Sequence, residues 1–148
     1  MPIPFHPVIV HFPIAFLLLG AVGAVAAVVF RRLYLPHYTA LMLILGTAGI
    51  WMALSTGNQD AAGRGLIDPE ANLVLTQHQK MAANTSQAAT LAAALAFVSA
   101  LLTGLFPKIA RLLAIVVAAL AITAGVFVAQ TAHLGMRFVY EYEIGIKR

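Results

Sequence analysis

The chain contains no cysteine. That excludes disulfides, thiolate metal sites, iron–sulfur clusters and covalently attached c-type haem. Charge is nearly as scarce: Asp, Glu, Lys and Arg make up 9% of 148 residues, where soluble domains carry about 25%. So few charges cannot cover a water-facing surface. With 61% hydrophobic residues and a mean hydropathy of +0.92, the chain reads as an integral membrane protein of one small domain, residues 1–148. The net charge of +4 is modest, and the basic residues lie near segment ends. They act as topology signals and do not form a nucleic-acid surface. The first apolar segment lacks a basic leader, so it is expected to be retained as a helix and not cleaved as a signal peptide.

Four apolar segments predict an all-α bundle of four transmembrane helices, at about residues 7–31, 37–55, 69–106 and 109–136. Pro7 suits a first helical turn, whereas Pro13 is expected to kink the first helix. Gly20/Ala24 and Gly23/Ala27 offer a close-packing face. Thr56-Gly57 reads as the stop of the second helix and opens the polar stretch "STGNQDAAGRGLIDPE". Asp68-Pro69-Glu70 reads as a helix start, with a cap, a proline at the first position and an acid in the first turn. The third helix is too polar for lipid as far as Gln87, so it should project from the membrane or face the bundle interior. The tail "LGMRFVYEYEIGIKR" is polar and aromatic, and Tyr140 and Tyr142 suit the headgroup level.

Four crossings put both termini on one side. The two short loops opposite carry only basic residues, Arg31, Arg32, Lys108 and Arg111, while the termini side carries every acid in the chain. Cytoplasmic loops are enriched in base, so the termini are expected outside, on the periplasmic face of a bacterial inner membrane.

That topology gathers four of the five histidines at the outer end: His6, His11, His78 and His133. Counting from the cytoplasmic ends, His11 stands roughly 28 Å up, His133 roughly 33 Å, His6 roughly 36 Å and His78 about 42 Å. The heights predict two tiers, His11 with His133 and His6 with His78. Imidazole is the commonest metal ligand and the usual axial ligand of b-type haem. Small residues near the histidines, Ala15, Ala82, Ala89, Gly125 and Ala129, would give a cofactor room. Arg137 could neutralise a haem propionate, and Asn58, Gln59 and Asp60 could hydrogen-bond to ligating histidines. The plain alternatives are an interfacial histidine held by a hydrogen bond, ordinary helix packing, a solvated loop and an interfacial arginine anchor. For His37 the plain reading is adopted.

The motifs "HPVIVHFPIAFLL", "STGNQDAA" and "TAHLGMRFVYEYEIG", with a histidine opening the third membrane segment, resemble a bacterial membrane-protein family catalogued as domain of unknown function 2231. The resemblance covers essentially the whole chain. It implies four membrane helices and histidines at the positions of His6, His11, His78 and His133. Met136 stands where a second glycine is expected after "HLG". The family has no established activity, but relatives often occur joined to or near electron-transfer proteins.

Three functions follow as expectations. The first is a small b-type cytochrome. It would hold one or two haems through bis-histidine ligation and pass electrons between a quinol or periplasmic redox protein and a partner. The second is a zinc or copper site on the same four histidines; the helix middles hold little that is polar beyond Thr47, Ser99 and Thr123, which disfavours a transport path. The third is a non-catalytic subunit of a larger membrane complex or a homo-oligomer. A hydrolase is disfavoured, because Ser55 has no base on a rigid element, and His78 with Asp60 or Glu70 is a loose arrangement.

Overall fold

The computed structural model describes residues 9–30, 32–62 and 68–142. Four helices follow one another: α1 (His11–Val29), α2 (Tyr34–Ala62), α3 (Pro69–Leu102) and α4 (Pro107–Tyr140). Each is long and apolar enough to cross a membrane. The principal contacts run α1 to α2, α2 to α3, α3 to α4 and α4 back to α1, so the helices close into a ring. His6, the 63–67 part of the polar stretch and the tail beyond Tyr142 lie outside the described residues.

The packing is inverted relative to a soluble bundle. The fully buried positions are small: Ala24, Ala89, Ala92, Ala121 and Ala124 are at most 1% exposed, and the largest fully buried side chains are Leu17, Leu43, Val117 and Ser99. The outer face carries Leu18, Val22, Leu41, Leu91, Leu101, Leu112 and Ile122, all exposed. Lipid is as apolar as leucine, so large side chains gain nothing by turning inward, while small ones let the backbones approach and gain dispersion contacts.

The α1–α2 pair shows this most sharply. A Cβ on Gly20 would lie 2.6 Å from Leu43 Cδ2, and one on Gly46 would lie 3.1 Å from the Leu17 backbone nitrogen. One on Gly49 would meet the Pro13 ring at 2.9 Å. Glycines of each helix thus receive a bulky residue of the other along the whole seam. Pro13 is the third residue of α1, and the chain makes a turn at Val10 immediately before that helix. The interruption expected of Pro13 therefore falls at the mouth of α1 and not within it.

The α3–α4 pair is built differently. Alanines line it, and two hydrogen bonds cross it: Ser99 Oγ donates to the Ala110 carbonyl at 2.9 Å, and His78 Nδ1 meets the Thr131 carbonyl at 2.9 Å. The residue numbers of each pair sum to 209, as do those of Ala71 and Phe138, which share a small core with Val74 at the far end. One antiparallel register thus holds from end to end. Both helices have 34 residues, roughly 51 Å against a hydrocarbon core of ~30 Å. The polar start of α3 lies at the end carrying Ala71 and Phe138. Asp68 caps α3 as expected, its carboxylate accepting from the Glu70 and Ala71 backbone amides.

Helix bounds differ from expectation in every helix, and the first ends at Val29, two residues early. The second helix begins at Tyr34, with Pro36 in its first turn, and runs through Thr56-Gly57 to Ala62. Thr56 turns its hydroxyl onto the Met52 and Ala53 carbonyls and so stays within the helix. The third helix stops at Leu102, before the turn that precedes Pro107. The fourth continues to Tyr140, four residues past the expected end.

Candidate functional site at the histidine end

Alternating helix directions bring the start of α1, the end of α2, the start of α3 and the end of α4 to one end of the bundle. His11, His78 and His133 all lie there. His37 lies at the opposite end, exposed, its Nδ1–H donating to the Leu33 carbonyl one turn back at 3.0 Å. That is the plain interfacial role adopted for it.

The three histidines at the shared end point in different directions. His78 is half-buried and turns into the α3–α4 seam. A carbonyl oxygen can only accept, so Nδ1 of His78 carries the proton that bonds Thr131, and in the neutral ring Nε2 carries the lone pair. This is the arrangement that orients metal-binding imidazoles, in which the non-ligating ring nitrogen donates to a carbonyl or carboxylate. Gly135 makes the ring's position possible: a Cβ there would come within 3.3 Å of His78 Cε1.

His133 sits two residues from both Thr131 and Gly135, roughly 200° around α4 from each, and it is exposed. His11 stands two residues before the buried Pro13 on α1 and is likewise exposed. Neither turns into the bundle interior. Among the described residues, no group of three or more His, Asp or Glu is placed to hold a metal ion.

The two-tier expectation changes accordingly. His78 lies level with Thr131, and hence with His133, not a tier above it. The discrepancy comes from the starting points: Pro107 as the base of α3 and Arg111 as the base of α4 are not level, because the register pairs Ser99 with Ala110. Thr131 and Gly135, the partners of the His78 ring, were missed from the sequence. Their four-residue spacing on the face opposite His133 was the signal that could have found them.

The small residues expected to give a cofactor room do not form a shared cavity here. Ala15 and Ala129 are not buried, Gly125 faces open space within 4 Å, and Ala89 is packed in the core. Asn58 and Gln59 lie on the last turns of α2, both exposed, and the side chain of Asp60 lies outside the described residues. Arg137 is engaged with Glu141 one turn on, one terminal guanidinium nitrogen 2.9 Å from Oε2 and its Nε bonded to both carboxylate oxygens. That hydrogen bond is the main reason the Glu141 carboxyl is held below the ordinary carboxylate range, with the charge of Arg137 adding to it.

Residues 2–148 match the model of a family described as predicted membrane protein (DUF2231). The chain belongs to that family. The match spans "HPVIVHFPIAFLL" and "TAHLGMRFVYEYEIG" alike, as the motifs implied, and four apolar helices agree with its description. Searches of curated proteins and of solved structures return no match.

Proposed function

We propose that this DUF2231 protein holds an imidazole-ligated metal at the histidine end of its bundle, with His78 as the anchoring ligand. The supporting observation is the cross-helix bond from His78 Nδ1–H to the Thr131 carbonyl, which fixes the ring and the tautomer suited to ligation through Nε2. His133 lies at the same level and His11 opens α1 at the same end of the bundle, which supports that end as the place of a site.

Two metals suit this chemistry. A porphyrin between α3 and α4 does not fit, because the seam is closed where the His78 ring meets Gly135. The closed seam favours a compact ion, zinc or copper(II), over an inserted haem. A haem b would instead need the exposed His11 and His133 on the outside of the bundle, and the chain would then act as a small b-type cytochrome serving quinol or periplasmic redox proteins. The alternative of an accessory subunit without cofactor needs no histidine at all.

Protein purified without a histidine tag tests these readings, by absorption spectra before and after dithionite and by metal analysis. A Soret band with reduced α and β bands supports the cytochrome. Stoichiometric zinc or copper without a Soret band, lost in His78→Ala, supports the ion site. Neither signal, even after haem or metal supplementation, overturns both.

The charge pattern supports an outward-facing histidine end in a bacterial inner membrane. The cysteine-free chain allows a direct check. Gln77→Cys should react with a membrane-impermeant maleimide in intact cells, and Lys108→Cys only after permeabilisation; the reverse pattern overturns the orientation.

A further inference from the structure

At the end of the bundle opposite His11, His78 and His133, all four helices line a cavity of about 10 Å³. Its walls are nearly all apolar and small, among them Ala27, Ala96 and Ala114, and the lining residues that carry a hydroxyl are Thr39 and Ser99. Thr39 is 2% exposed, and its Oγ1 has no hydrogen-bond partner.

That hydroxyl departs from the habit of the molecule. Thr56, Thr76, Thr85, Thr90, Thr103, Thr123 and Thr131 each donate to the carbonyl one turn back in their own helix. Thr47 reaches across to the Ala89 carbonyl of α3. Thr39 does neither. Gly23 of α1 leaves room for it: a Cβ there would lie 2.9 Å from Thr39 Oγ1.

A buried hydroxyl without a partner is costly, and native structures rarely tolerate one without water. We propose that a single water molecule occupies this cavity and bridges Thr39 Oγ1 on α2 to Ser99 Oγ on α3. The volume matches the space one water needs. Ser99 already spends its proton on the Ala110 carbonyl, so its oxygen receives a proton from the water. One lone pair of the water accepts from the Thr39 hydroxyl. A metal cation is excluded by ligand count, since hard cations take about six oxygens and this cavity offers two side-chain oxygens. The water completes a polar crossing from α2 through Ser99 to the Ala110 carbonyl of α4, tying three helices at one point.

A high-resolution map of the protein in lipid nanodiscs tests the proposal directly. The expected result is a density peak within about 3.2 Å of both Thr39 Oγ1 and Ser99 Oγ. An empty cavity, or a Thr39 hydroxyl turned onto the Leu35 carbonyl, overturns it. Thermal unfolding gives an independent readout. Thr39→Val should lower the Tm by about 2–4 °C, and Thr39→Val with Ser99→Ala should lose less than the two single losses together, because one shared water is lost once. A Tm that rises in Thr39→Val, as expected for a dry cavity, or strictly additive losses, overturns it as well.

Discussion

The two helix hairpins of this bundle solve the same packing problem with different chemistry. In α1–α2 the seam is steric: Leu17, Leu43 and Pro13 fit against Gly46, Gly20 and Gly49, and the approach is so close that Cβ atoms are excluded. In α3–α4 the seam is alanine closed by polar crossbars, Ser99 to Ala110 and His78 to Thr131. The first hairpin has a 19-residue member, about one hydrocarbon thickness long, and serves as an anchor. The second is long enough to leave the membrane and carries His78, a histidine oriented by its bond to a second helix. The difference teaches where the chain can be altered: contacts in α1–α2 secure the fold, and contacts at the far end of α3–α4 orient His78.

Breaking the first seam should have the largest effect. Gly46→Val drives a branched side chain at the α1 backbone beside Leu17, and overpacking of this kind costs about 1–3 kcal/mol. The expected outcome is loss of monodisperse protein on size exclusion or a sharply lowered Tm. A variant as stable as wild type would remove the steric reading of α1–α2.

Breaking the second seam should spare the fold and damage the site. His78→Ala removes one inter-helix hydrogen bond, worth about 1 kcal/mol. On the proposed metal reading, it should abolish metal retention while the protein stays folded. Gly135→Val is the sharper variant, because it displaces the His78 ring without removing any ligand. It should mimic His78→Ala in metal analysis. Retention of full metal by Gly135→Val would separate the ring's placement from binding.

A glycine outside both seams should behave in the opposite sense. Gly125 lies inside α4, and a Cβ added there would meet nothing within 4 Å, so Gly125→Ala gains helix propensity with no clash. Stabilisation of up to about 1 kcal/mol is expected, read as a raised Tm.

The smallest effect belongs to the Arg137–Glu141 pair, which is exposed at the end of α4. Glu141 has its carboxyl held below the ordinary range, so the pair's contribution is present above that range and is lost as pH falls through the lowered value. Exposure and salt screening make it slight. Glu141→Gln should leave the Tm at neutral pH unchanged within error and should remove what little acid dependence the pair confers.

Much of the frame is legible in the residues. Apolar run lengths give four crossings, and Asp68-Pro69-Glu70 marks the α3 start that the structure shows. The polarity of residues 69–87 anticipates that α3 outruns the bilayer. What resists reading is direction. Gathering His11, His78 and His133 at one end requires only topology, but which face each occupies depends on the rotation of each helix in the ring. That rotation is set by glycines and alanines, whose contacts leave no polar signal. Thr56-Gly57 misleads for a related reason: a threonine that bonds to its own helix can sit inside it, and the break falls later. Thr39 is invisible in the sequence, since eight other threonines are chemically identical to it and only the cavity distinguishes its hydroxyl.

The two crossbars of α3–α4 stand about 21 residues apart along α3, roughly 31 Å, close to the depth of the hydrocarbon layer. Each joins a side chain of α3 to a carbonyl of α4, and both hold one register. Sliding either helix along the other would have to break both at once. The hairpin is therefore a rod pinned at two heights.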